Sequence, residues 1–150
     1  MYLDKLKSGS VCFDDANQKW IFQFSDPYGI FVFYNPDKEI NNNYNVTGTP
    51  LNLQDTKHLY YNPAQLDLAK YPLGTRFCDG NNKIWVLKEI WNEKPPYSFI
   101  CQVLDSNHQS SFTRGGIQSI FDSPSPRDLV SAIHVPTQTQ TQTQTQENLP

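Results

Sequence analysis

Gly74-Thr75-Arg76-Phe77-Cys78-Asp79-Gly80-Asn81-Asn82-Lys83-Ile84-Trp85 decides the fold, because an earlier stretch repeats it: Gly9-Ser10-Val11-Cys12-Phe13-Asp14-Asp15-Ala16-Asn17-Gln18-Lys19-Trp20. Gly, Asp, Asn and Trp recur at a constant offset of 65, from Gly9/Gly74 to Trp20/Trp85. Ser10/Thr75 and Ile21/Val86 are conservative matches. Self-similarity at a fixed spacing is the mark of a duplicated unit. A four-residue insertion then moves the offset to 69 and aligns Pro27-Tyr28 with Pro96-Tyr97. Apolar runs follow both dipeptides, at residues 30–34 and 99–104.

Both halves share one grammar. A short strand ends in Asp, a turn rich in Asn, Gly or Ala follows, and a longer strand begins near the Trp. Asp79-Gly80 between apolar runs is a strong hairpin signal. Half two adds strand-like runs at residues 109–112 and 117–121. The expected fold is therefore mostly β: two tandem, related small β-barrel units of SH3-like or Tudor-like form.

The punctuation between runs supplies the rest of the expected layout. Residues 35–56, with Asn41-Asn42-Asn43, read as a polar loop. Asn62 before Pro63 reads as the cap of a short connecting helix over residues 62–70. A second short helix is expected from Ser125-Pro126 through Ile133. Five Thr-Gln pairs from Thr137 to Gln146 are expected to be disordered, since neither face could bury a core. The expected division is a first unit with its loop over 1–56 and a helix and second unit over 57–122. A linker or helix over 123–136 and a tail over 137–150 complete it.

Composition narrows the function. Aromatic residues make up 13% of the 150, and such side chains suit half-buried strands. The net charge of -3 offers no strong field for nucleic acid or an anionic membrane. Three cysteines, Cys12, Cys78 and Cys101, form no close pair and argue against a disulfide framework. With no apolar leader at residues 1–5 and no bilayer-length apolar run, a cytoplasmic chain without membrane contact is the expectation.

No motif for catalysis or cofactor binding stands out, so no enzyme activity, metal or cofactor is expected. Local metal spacings are missing, and a site built from Cys78, Cys101 and His108 would need the fold to assemble it. Asp14-Asp15 belongs to a turn, where Asp bonds its own backbone. Arg114-Gly115-Gly116 is a candidate anion nest, with a glycine turn as the plain alternative. Trp91-Asn92-Glu93-Lys94-Pro95-Pro96-Tyr97 is a polar loop with an aromatic at each end, the usual look of a peptide anchor. Trp85 is expected in the core. The candidate binding residues are thus Trp91, Lys94, Tyr97 and Arg114.

Residues 98–112, Ser98-Phe99-Ile100-Cys101-Gln102-Val103-Leu104-Asp105-Ser106-Asn107-His108-Gln109-Ser110-Ser111-Phe112, and then Arg114-Gly115-Gly116-Ile117, resemble a family of small cyanobacterial proteins of unassigned function. The resemblance implies no activity, ligand or site. The expected role is a non-enzymatic binding or adaptor module for a protein or peptide. One alternative is a nucleic-acid module using Arg76, Lys83, Lys88, Lys94 and Arg114 with Trp91. Against Asp79, Glu89, Glu93 and Asp105 those five cations leave a balance of only +1 over residues 73–121. The other alternative is an enzyme whose site is dispersed in the fold.

Overall fold

The computed structural model describes residues 3–52 and 57–137. The expected tail therefore lies, apart from Thr137, outside the described residues. The described residues form ten strands: β1 (Val11–Asp14), β2 (Lys19–Ser25), β3 (Phe31–Asn35), β4 (Ile40–Tyr44), β5 (Leu59–Tyr60), β6 (Arg76–Asp79), β7 (Ile84–Ile90), β8 (Phe99–Val103), β9 (Gln109–Phe112) and β10 (Leu129–His134). They make two antiparallel five-stranded sheets, ordered β4-β3-β2-β1-β5 and β10-β6-β7-β8-β9. Read outward from β1 and from β6, the two orders are the same. In each, four strands meander and the fifth returns to the free side of the first.

The two sheets correspond down to single hydrogen bonds. Each unit opens with the same tie: the Leu3 amide donates to the Val46 carbonyl and the Leu68 amide to the Arg114 carbonyl, at 2.7 and 2.8 Å. In the first hairpin Asp14 Oδ1 accepts from the Ala16 and Gln18 amides, and Asp79 Oδ1 from the Asn81 and Lys83 amides, all at 2.9 Å. The other oxygen of each carboxylate accepts the indole N–H of Trp20 or Trp85 at 3.0 Å. Asn17 and Asn82 share left-handed backbone, with φ of 61° and 65°, a conformation Asn tolerates better than most residues. One buried Asp thus fixes a turn and orients a core tryptophan in each half. The matching Asp, Asn and Trp in the sequence are there for that joint task.

The cores are separate clusters on the inner faces of the sheets. Leu3, Cys12, Trp20, Phe22, Phe31, Phe33, Tyr44 and Leu59 fill the first. Leu66, Leu68, Phe77, Trp85, Leu87, Phe99, Cys101, Phe112 and Leu129 fill the second. Strand alternation sends every second side chain inward, which is why Phe31 and Phe33 of β3 and Trp85 and Leu87 of β7 are buried while Val32 and Val86 between them are half-buried. Phe33 meets Tyr44 edge to face at 5.4 Å, and Trp85 meets Phe112 likewise at 5.2 Å. Such pairs add stability beyond the area they bury.

Several expectations are corrected. No α-helix occurs among the described residues. Over residues 62–70 the helix is replaced by a turn and then a single 3-10 turn at Leu68–Lys70. Gln65 has a φ of 56°, which interrupts any helix, and Asn62 spends its amide N–H groups on the Gly115 and Leu129 carbonyls. The second expected helix is β10: a turn held by the Asp128 carboxylate delivers Leu129 onto the open side of β6. The polar loop over 35–56 contains β4, where Asn41 and Asn43 are exposed, Asn42 is half-buried with its amide N–H on the Tyr44 hydroxyl, and Tyr44 anchors the strand in the core. The expected strand over 117–121 is an irregular segment.

The sheets also run past the expected boundaries at 56 and 122, since β5 completes the first and β10 the second. The insertion after the first hairpin is three residues rather than four. Ser25 and Ile90 keep the offset of 65, while their partners Phe31 and Phe99 differ by 68. Equivalence therefore pairs Ile30 with Ser98, and Pro27-Tyr28 does not align with Pro96-Tyr97.

The halves touch through the first hairpin of half one. Gln65 Oε1 accepts from the Val11 amide at 2.7 Å and its Nε2 donates to the Val11 carbonyl at 3.1 Å, so one side-chain amide does the work of a strand residue. The Arg114 guanidinium holds the Asp67 carboxylate through two bonds, 2.8 and 3.0 Å, and donates to the Asn17 carbonyl at 3.0 Å. It also lies 4.8 Å from the centre of the Phe13 ring. Lys19 adds an ion pair to Asp67 at 3.4 Å. Phe13 points to the outer side of its sheet yet is only 4% exposed, because this contact covers it.

Candidate functional site

The Trp91-to-Tyr97 loop forms the turn between β7 and β8. Its length is the clearest departure of half two from half one. In half one the same turn is tight: Asp26 Oδ1 accepts from the Tyr28 and Ile30 amides, both at 2.9 Å. In half two Trp91 replaces Asp26, and the main chain closes through the Trp91 amide and the Ser98 carbonyl at 2.7 Å. The three extra residues bow outward as an exposed loop.

Trp91 is 38% exposed. Its indole N–H donates to Glu89 Oε1 at 2.7 Å, and the Lys94 ammonium sits 4.7 Å from its ring centre. Those two contacts hold the ring against the end of β7 without burying it. Tyr97 is half-buried, and its hydroxyl accepts from the Ile120 amide at 3.0 Å. That bond ties the loop to residues 117–121, where Phe121 is 88% exposed. Ile90, Trp91 and Phe121 are open to solvent along the loop and the segment tied to it, and Glu93 and Lys94 are exposed in the loop itself.

Sequence reading missed Phe121, because it placed residues 117–121 in a strand. Arg114, the fourth expected binding residue, lies elsewhere, in the contact between the halves. Its guanidinium is engaged by Asp67, Asn17 and Phe13. The glycine turn it begins is closed by the Gly116 amide on the Thr113 carbonyl and by the Leu129 amide on the Gly116 carbonyl. These are the contacts of a connector, and they match the turn at Gly48 in half one, where the Gly48 amide meets the Asn45 carbonyl.

The remaining chemistry is sparse. Among the described residues no three His, Cys, Asp or Glu side chains gather to hold a metal ion. Cys12 and Cys101 are buried in separate cores, where loss of hydration pushes both thiols up, that of Cys101 to about 12. Cys78 is half-buried on the outer side of β6, 3.1 Å from the Ser131 hydroxyl. Burial also raises the Asp15 carboxyl, helped by the neighbouring Asp14 charge. No described helix is long and apolar enough to cross a membrane. No protein-family model, curated protein or solved structure matches the chain.

Proposed function

We propose that the chain is a non-enzymatic binding module of the cytoplasm, that each sheet is an SH3-like unit, and that the second unit recognises a protein or peptide through Trp91, Lys94 and Tyr97. The strand order, with the fifth strand returning beside the first, is the order of such small barrels and supports the architectural half of this reading. It says nothing about function by itself. The observation that carries the functional half is the exposed indole of Trp91 in the one hairpin that the duplication lengthened.

A large aromatic held in place but open to water contributes contact area at low ordering cost when a partner arrives. Loops on rigid sheets are where insertions change recognition without disturbing a core. Phe121 and Ile90 extend the apolar area, and Lys94 and Glu93 supply a polar rim. The nucleic-acid alternative has less behind it, since Arg114 is consumed by Asp67 and phosphate-driven affinity needs several free cations.

Trp91→Ala is expected to abolish binding of peptides selected on the wild-type protein from a displayed random library. The same change is expected to move stability by less than about 1 kcal/mol, since the side chain leaves no core cavity. Affinity is read by titration and stability by a thermal melt. Selected peptides that bind the variant as tightly as the wild type would remove Trp91 from the site.

A further inference from the structure

Duplication supplies an internal control, because the same backbone positions carry different side chains in the two halves. On the outer side of the first sheet, Val11, Ile21 and Gln23 are neutral. Their equivalents in the second are Arg76, Val86 and Lys88. Arg76 stands opposite Val86, and Val86 opposite Gln102, so the three form a cross-strand row over β6, β7 and β8. Lys88 follows two residues along β7, at the bulge between Leu87 and Glu89. These residues border a groove of about 230 Å³ that ends at Asp105 in the β8–β9 turn.

Both cations are exposed and neither has an ion-pair partner among the described residues. Two like charges on neighbouring strands repel one another, and Asp105 is the one carboxylate among the residues lining the groove with them. The equivalent side of half one also adjoins a docking surface: Phe13 and Lys19, on the next row from Val11, are what half two covers. Half two presents the same side of its own sheet open, with charge where half one has none.

We propose that this groove binds an acidic side chain of a polypeptide, with Arg76 and Lys88 clasping the carboxylate and Val86 as the apolar floor between them. The choice of a polypeptide rests on the proposed function. The chemistry of the groove favours it as well: two cations with Asp105 at one end suit a single carboxylate better than a run of phosphates. Charge-assisted bonds to a carboxylate are the strongest such a surface can make, and Arg offers two parallel donors.

The test is an amide-resolved NMR titration of the full chain with two acetylated, amidated pentapeptides, Gly-Glu-Glu-Glu-Gly and Gly-Gln-Gln-Gln-Gly, and with inorganic phosphate. The Glu peptide is expected to shift the amides of residues 74–76, 86–88 and 102–105 to saturation, and the Gln peptide and phosphate to bind at least tenfold more weakly. Arg76→Val and Lys88→Gln install the half-one residues on a backbone that already accepts them. Each is expected to weaken the Glu peptide about tenfold, the scale of one lost charge-assisted contact, and 0.5 M salt to weaken it further. Glu-peptide shifts that survive both substitutions, or phosphate binding as tight as the peptide, would overturn the assignment. Shifts confined to Trp91 and its neighbours would also overturn it while leaving the module reading intact. Groove shifts seen in both wild type and Trp91→Ala, with library-selected peptides binding the variant as tightly as the wild type, would strike the Trp91 reading instead and leave the groove standing.

Discussion

Trp85→Ala is expected to cost about 3–5 kcal/mol of folding stability, the range for deleting a large aromatic from a core. Trp85 is buried, packs edge to face on Phe112 and donates its indole N–H to Asp79 at 3.0 Å. Alanine leaves a void among Leu87, Phe112 and their neighbours, and it takes one of the three donors from a buried carboxylate. Trp85→Phe separates the two effects, since it restores much of the volume but not the N–H. It is expected to recover about half the loss. Denaturant unfolding of the two variants beside Trp91→Ala is the measurement. A Trp85→Ala protein no less stable than Trp91→Ala would mean that the second sheet does not rest on this residue.

Arg114→Ala is expected to cost roughly 2–3 kcal/mol at neutral pH, because it leaves Asp67 in a buried site without its main partner. Arg114 is about a fifth exposed, so solvent screening holds the figure below that of a fully buried pair. Burial acts to raise the Asp67 carboxyl. The hydrogen bonds and charge of Arg114, with the Ala69 amide and Lys19, outweigh it and hold the group below the usual carboxylate range. A carboxyl lowered on folding contributes stability that is complete above its unfolded value of about 3.9 and fades as pH falls through the folded value. Wild type and variant are therefore expected to differ most above about pH 5 and to converge in strong acid. In the variant burial dominates, and the Asp67 carboxyl is expected to titrate above its ordinary range. Unfolding curves across pH and a carboxyl NMR titration read both effects. A stability gap that stays constant into strong acid would show that Arg114 acts by packing on Phe13 rather than through Asp67.

The sequence made the duplication legible through Gly, Asp, Asn and Trp, because those four types each have a job few others can do. Gly9 and Gly74 supply positive φ, and Asn17 and Asn82 tolerate it. The Asp carboxylates serve turn and indole together. Less legible was the rest of each unit. The structure pairs Leu3 with Leu68, Gly48 with Gly116 and Leu59 with Leu129 through identical backbone bonds. Leu3/Leu68 keep the offset of 65, but Gly48/Gly116 lie at 68 and Leu59/Leu129 at 70, so no single offset links the three pairs.

Strands β4 and β10 were misread for physical reasons. Asn has low strand propensity, and only the pairing of β4 with β3 overrides it. Ser125-Pro126 resembles a helix start, but the Asp128 carboxylate binds back to Ser123, Ser125 and Gln118 and closes a turn. At the candidate site, the loop was visible as two aromatics around Pro95-Pro96. The separate duty of Arg114 was not, since its partners Asn17 and Asp67 lie 97 and 47 residues away in sequence.

The placement of the thiols gives the molecule a pair of clocks. A thiol reacts with an alkylating reagent as its thiolate, so a buried, raised cysteine reacts only during the moments its surroundings open. Cys12 lies in the first core and Cys101 in the second, with no other thiol in either. The two labelling rates in one tube therefore time the opening of each half separately, against the half-exposed Cys78 as the fast reference. Equal rates mean the halves breathe as one body. If Arg114→Ala makes the rate at Cys12 outrun that at Cys101, the ratio measures how much of half one's persistence is lent to it by half two.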